Sequence, residues 1–315
     1  MVHACPNGSQ NSPMITPSLF NDILASLSDE YERVGSSENH RIEQVCSIDH
    51  AISNSIVWCH PSRPEKAKAI EDTLAQVVIC DRGIEWDGTV QPEKTLIKVE
   101  DPKRVFTRLV RQMMSGAYAP GIHATSTVHP EADIHESVHI GPHCYVGKCV
   151  IGEGSQIHGN SFIYDGVQLG KEVVIEASVV LGAEGFGLAN TEEGGWERFP
   201  HLGGLVIGDR VEVGAGSTID RGAIQDTIIG EGTKISKQVH ISHNVQVGKH
   251  CLITGGVSIA GSTVVGDFVW ISPGVTILNK VRIGNHAFIA IGATVTQSIP
   301  DHYQASGRKI IPKTS

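Results

Sequence analysis

Between residues 229 and 295 every sixth position is Ile or Val, twelve times in succession. The same spacing holds at 122, 128, 134, 140 and 146, slips by one residue, and continues at 151, 157, 163, 169, 175 and 181. After a break over 182–206 it returns at 207, 213 and 219, and a second irregularity precedes Ile229. A period of six matches neither an amphipathic helix nor a simple alternating strand. It fits a parallel β-helix in which each hexapeptide is a short strand plus a turn, and three make one coil of a triangular prism. The aliphatic anchor points inward, and a small residue often sits four positions on, as Ala132 after Val128 and Ser155 after Ile151. With coils stacked at about 4.8 Å, roughly nine to ten of them make a prism about 45 Å long.

Upstream the pattern differs. Apolar runs at 55–59, 76–80 and 95–99 predict short strands. Helical spacing covers 63–74, and Val105, Phe106, Leu109, Val110 and Met113 follow the i, i+3, i+4 rule of a helix over 102–114. The expected organisation is mainly β. A loop-like leader (1–20) precedes a small α/β domain (21–115) and a linker (116–121). The β-helix then runs over 122–303 with an excursion at 182–206, followed by a short tail (304–315).

Composition supports a wound β structure. Gly is 35 of 315 residues and aromatics are only 5%, which leaves turns plentiful and rings few. Hydrophobic residues at 40% exclude a disordered chain. The net charge of −9 argues against a nucleic-acid binder, since phosphate contacts need clustered Lys and Arg. No run of about 18 apolar residues predicts a transmembrane helix. The opening MVHACPNGSQNSP lacks the apolar stretch of a secretory signal. Seven Cys without a CxxC pair read as free thiols, so a reducing, cytoplasmic setting is expected.

The chemistry must come from sites grafted on the prism. The excursion carries Glu184, Phe186, Trp196, Glu197 and Arg198, which a purely structural or ice-binding prism has no use for. His243 falls two places after the anchor Ile241, near a corner, and Gly261 follows 18 residues later, one coil on. A histidine stacked beside a glycine N–H is suited to acyl transfer. The imidazole takes a proton from the nucleophile, and the N–H holds the oxyanion that forms on the acyl carbon. His123, His129 and His135 recur at period six and read as a solvated column. No carboxylate or Cys completes a cluster with them, so no metal site is expected.

Several blocks carry a more specific resemblance: Gly185-Phe-Gly-Leu-Ala, Gly195-Trp-Glu-Arg-Phe-Pro-His-Leu-Gly203, Val206-Ile-Gly-Asp-Arg-Val-Glu-Val-Gly-Ala-Gly-Ser-Thr-Ile-Asp-Arg-Gly-Ala223, Ile241-Ser-His-Asn-Val-Gln-Val-Gly248 and Gly256-Val-Ser-Ile-Ala-Gly-Ser262. In these the chain resembles the UDP-3-O-(3-hydroxyacyl)glucosamine N-acyltransferases of lipid A (lipopolysaccharide) biosynthesis. The resemblance implies a left-handed β-helix, a homotrimer with active sites between neighbouring prisms, and a small N-terminal uridine-binding domain. It implies transfer of a 3-hydroxyacyl chain from acyl carrier protein to the 2-amino group of a UDP-glucosamine derivative, with no permanently bound cofactor. His243 takes the place of the family's general base and Gly261 that of its oxyanion donor. His240, Asn244 and Lys280 are candidate substrate contacts.

The resemblance also marks departures. In Ile56-Val-Trp-Cys-His-Pro61, Trp58 is placed to stack on a uracil, but His60 stands where the family has Asn, and Arg63 or Pro64 near an expected Tyr. Lys280 stands where many members carry a second His, and a lysine cannot imitate a neutral imidazole. The family's C-terminal helical extension is not expected in the short, Pro-broken end 308–313. The segment 291–300 is also similar to coenzyme-A-dependent sugar acetyltransferases of the same fold. Three readings stay open: the lipid A N-acyltransferase, an acetyl-coenzyme-A-dependent N-acetyltransferase acting on a nucleotide-linked amino sugar, and a non-catalytic binding or assembly protein.

Overall fold

The computed structural model describes residues 16–25, 27, 30–86, 91–114, 118–307 and 309–312. The chain divides into two compact units, Met1–Tyr118 and Ala119–Ser315.

The first unit is built on a five-stranded sheet. Its spatial order is Glu32–Gly35, Thr95–Val99, Val77–Asp81, Ser55–Trp58, Gln44–Val45. The first pair is antiparallel and the rest are parallel. The helix Pro102–Met113 starts where Asp101 accepts from the Arg104 N–H at 2.9 Å and proline occupies the first turn. It buries Val105, Leu109 and Met113, as its spacing predicts. The helix expected over 63–74 is shorter, Lys66–Asp72, because Glu65 takes a left-handed conformation (φ 49°) just before it. Lys94 is buried at the far end of this helix. Its Nζ donates to the carbonyls of Ile70, Glu71 and Thr73 at 2.6, 3.2 and 2.8 Å, satisfying oxygens the helix leaves open.

The expected leader needs correcting at its end. Ser18–Leu19 pairs antiparallel with Arg41–Ile42, and Phe20 opens a short helix, Phe20–Leu24, with its ring wholly buried. The aromatic side chain contributes to the core and draws residues 18–20 into the first unit. Residues 1–15 lie outside the described residues, as do 115–117 of the expected linker.

The second unit is a left-handed parallel β-helix. Its three faces carry eight, nine and ten parallel strands of mostly two residues each, the third face ending in one added antiparallel strand. Anchors stack in register: Ile219 beside Ile241, Ile241 beside Ile259, Ile259 beside Ile277. From Ile140 to Val295 the anchors are buried, each worth about 1.5–3 kcal/mol relative to exposure. The first anchors differ, Ile122 being 51% exposed and Val128 and Ile134 half-buried, because the end of the prism has no coil to cover it. The phase slip is a coil of seventeen residues that still sets Ile134 beside Ile151. The corners take left-handed conformations, with Asn244, Ser262 and Lys280 at φ 61°, 60° and 60° in successive coils.

Two features depart from a plain prism. The excursion forms an antiparallel hairpin, Leu188–Asn190 with Trp196–Arg198, which leaves the prism after Val180–Ala183 and returns at Leu205–Ile207. The expected tail is structured at its start: Tyr303–Ser306 adds parallel to Phe288–Ile289, and Lys309–Pro312 folds back antiparallel on it. The pairing of this segment satisfies backbone groups that an open prism end would leave exposed.

Candidate active site

The excursion and four successive coils together line a cavity of about 560 Å³ in the second unit. Glu184, Gly185, Phe186 and Arg198 come from the excursion; Asp220, His240, Ser242, His243, Gly261 and Lys280 come from the coils. His243, Gly261, His240 and Lys280, separated by up to forty positions in sequence, thus share one wall.

His243 is held in a definite orientation. Its Nδ1 lies 2.9 Å from Asn244 Oδ1. The amide of Asn244 is itself fixed: its Oδ1 accepts from the Ala223 N–H at 3.1 Å and its Nδ2 donates to the Gln225 carbonyl at 2.8 Å. An oxygen so placed can only accept from the imidazole, so Nδ1 of His243 carries the proton and Nε2 keeps its lone pair. The side chain of Asn244, a candidate substrate contact, is hydrogen-bonded to the backbone and to His243.

Nε2 faces Gly261. A Cβ placed on Gly261 would come within 2.9 Å of both Cε1 and Nε2 of His243, closer than real contacts allow. Glycine is therefore demanded by proximity, although its φ is ordinary. The coil is stitched by the Ser262 N–H donating to the His243 carbonyl at 3.0 Å and the Lys280 N–H donating to the Gly261 carbonyl at 3.1 Å. Among the described residues the Gly261 N–H has no acceptor. The site therefore offers a lone pair and an unused donor side by side.

His240 sits on the same wall, hydrogen-bonded to Thr218 Oγ1 at 2.7 Å and to Ser242 Oγ at 2.9 Å. Asp220, from the preceding coil, comes within 3.9 Å of His240 Nε2. Burial pushes the Asp220 carboxyl up to about 6, and His240 and His243 pull against that rise. Arg198 pairs with Glu184 at 3.2 Å. Lys280 has no carboxylate partner among the described residues, leaving a cation on the cavity wall.

Trp58 and His60 lie in the other unit. Trp58 is half-buried against that unit's core, 6.3 Å from the Phe106 ring and 5.5 Å from His60. His60 is exposed, its Nδ1 accepting from the Ser62 N–H. A cavity of about 530 Å³ in this unit is lined by Asp49, Arg63 and Pro64 but by neither Trp58 nor His60. Among the described residues no three His, Cys, Asp or Glu side chains gather as a metal site. Six cysteines are unpaired, and Cys5 lies outside the described residues. No helix among the described residues is long and apolar enough to cross a membrane.

Sequence reasoning gave no role to Asp220 or to His201, although both lie inside the blocks it singled out. Asp220 is recoverable in retrospect, standing 22 residues before Ser242 in coils that are 22 residues apart here. His201 belongs to the excursion, where no period predicts which coil it meets.

A stacked histidine–glycine pair on a hexapeptide prism brings together the parts an acyl-transfer site needs, a proton acceptor and an oxyanion donor. The family model for bacterial transferase hexapeptide (six repeats) matches residues 148–183, 226–261 and 262–297. The UDP-3-O-acylglucosamine N-acyltransferase of Polynucleobacter asymbioticus is 34% identical over 257 residues, 72% of this chain and 70% of the relative. Its counterpart from Pseudomonas syringae pv. tomato is 40% identical over 223 residues, 63% of this chain and 61% of that protein. The crystal structure of Francisella novicida UDP-N-acetylglucosamine acyltransferase superposes with a TM-score of 0.55 at 29% identity, covering 61% of this chain and 69% of the other. The chain belongs to the UDP-3-O-acylglucosamine N-acyltransferase family, a family of acyl-transferring enzymes.

Proposed function

We propose that this protein is a cytoplasmic N-acyltransferase of lipid A biosynthesis. It moves a 3-hydroxyacyl chain from an acyl carrier protein thioester to the 2-amino group of a UDP-3-O-acyl-glucosamine. The observation that carries the chemistry is the contact between the His243 imidazole, its Nε2 unprotonated, and Gly261 with its unused N–H. The names of the relatives support the acceptor, and the donor is the one the sequence resemblance implies.

In this scheme the neutral amine attacks the thioester carbon. His243 Nε2 takes the amine proton as the C–N bond forms. The oxyanion rests on the Gly261 N–H, as preorganised donors do in acyl transfer. The C–S bond then breaks, and His243 returns the proton to the departing thiolate. Asn244 keeps the imidazole turned correctly throughout. Lys280, a cation on the wall without a carboxylate partner among the described residues, suits a phosphate of the nucleotide or of the pantetheine arm. Trp58 is the candidate platform for the uracil, with His60 beside it. A homotrimer closes the open face of the prism at His243, a role supported only by the family resemblance.

The second reading, acetyl transfer from acetyl-coenzyme A to a nucleotide-linked amino sugar, is favoured by one observation: Lys280 occupies the wall where a second imidazole is expected. A donor comparison separates the two. The purified protein is given a 2-amino UDP-sugar with either 3-hydroxyacyl carrier proteins of several lengths or acetyl-coenzyme A. Turnover with the long-chain carrier protein alone is expected. Turnover with acetyl-coenzyme A alone overturns the lipid A assignment.

A further inference from the structure

His201 is 4% exposed and lies edge-on to His243, the ring centroids 5.2 Å apart and the planes at 76°. Its Nδ1 is 3.0 Å from the Phe199 carbonyl. A carbonyl can only accept, so Nδ1 carries the proton and Nε2 bears the lone pair. That Nε2 is buried and meets no hydrogen-bond partner among the described residues. A buried acceptor left unmet costs free energy, and an apolar side chain of similar size would fill the space without that cost.

The direction of the ring gives the unmet nitrogen a use. Gly185 is wedged between the two imidazoles: a Cβ there would lie 2.9 Å from His201 Nε2 and 2.9 Å from His243 Cβ and Cδ2. Nε2 is thus the side of His201 turned toward His243, and Nδ1–H the side turned to Phe199. In this tautomer the imidazole dipole has its negative end at Nε2. A fixed dipole in a buried site acts on a nearby charge without having to reorganise.

We propose that His201 is a positioning residue whose neutral imidazole directs its negative end at His243 and steadies His243 while it holds the proton taken from the amine. This rests on His243 being the base. The other charged and titratable groups around His243 are Asp220 and His240 from the coils, Glu184 and Arg198 from the excursion, and Lys280 from the following wall. None of these charges is altered by substituting His201, so a shift between variants is not theirs.

Two measurements test it. The first uses the intact wild-type chain with ¹⁵N-labelled histidine, and His201→Gln assigns the His201 signals by their disappearance. The expected spectrum at neutral pH shows His201 protonated at Nδ1 and bare at Nε2. The opposite tautomer overturns the proposal, because the dipole would then oppose the charge. This reading involves no turnover and stands apart from any failure of His243 as base. The second compares pH profiles of kcat/KM for wild type and His201→Leu. The acid limb is expected to move roughly half a pH unit lower, with kcat down about threefold and KM unchanged. A folded His201→Leu whose acid limb stays in place overturns the proposal. Should that variant not fold, the tautomer decides alone.

Discussion

Gly261 lies against the imidazole edge of His243 so closely that even one methyl group has no room: its Cβ would stand 2.9 Å from Nε2. The two residues are 18 positions apart and occupy adjacent coils, so the fold itself sets their distance. Gly261→Ala should displace the His243 ring and the N–H beside it. Loss of a single oxyanion donor costs about 10²–10³ in kcat, and Gly261→Ala is expected in that range with melting little changed. Steady-state kinetics checks this. Activity near wild type would mean that the ring can shift without consequence.

The fixed amide of Asn244 predicts a dependence that no direct substrate contact would give. Asn244→Leu removes the acceptor that holds Nδ1–H, so the imidazole can turn and present the wrong nitrogen. Misplacement on this scale costs about 10²-fold in rate. The fall should appear in kcat with KM for the UDP-sugar nearly unchanged. A rise in KM alone would return Asn244 to the substrate.

Asp220 predicts a pH signature in stability. Its carboxyl is raised from 3.8 to about 6, chiefly by burial. Below the unfolded value it is protonated in both states. Between that value and about 6 the folded chain keeps a proton that the unfolded chain releases. Its stabilising contribution is therefore full below the unfolded value and is lost as pH rises through about 6. Asp220→Asn lacks this dependence. The stability of the variant relative to wild type should therefore grow across that window, by about 3 kcal/mol at most. Urea midpoints at several pH values measure it, and a constant difference would contradict the assignment.

Lys94→Met tests the first unit. It withdraws one ammonium from three carbonyls at the end of Lys66–Asp72, two of them in buried bonds. Breaking such a buried charged network costs about 3–5 kcal/mol. Thermal unfolding followed by circular dichroism should show the helical signal lost at lower temperature, with the β signal of the prism retained. An unshifted helical transition would show that water replaces the ammonium.

Much of this fold was legible because a hexapeptide prism repeats one physical requirement at a fixed interval. Ile241, Ile259 and Ile277 are each buried for the same reason, and the period reveals it. The same arithmetic placed Gly261 beside His243. It could not reach His201, since a twenty-five-residue excursion has no period to carry the register. Nor could it show Asn244 holding His243, because that depends on carbonyl and amide groups of 223–225 in an irregular corner. The ends are less legible because single residues act alone there: Phe20 is drawn into the first unit by its ring, and Tyr303–Ser306 is held by pairing that its sequence does not advertise.

In the proposed function, Nε2 of His243 removes the proton of the attacking amine. Single-turnover rates of wild type and His243→Ala, with circular dichroism to confirm an intact prism, test it most directly. The variant is expected to fold and to lose about 10²–10⁴ in rate. A well-folded His243→Ala that transfers the acyl chain as fast as wild type would contradict it.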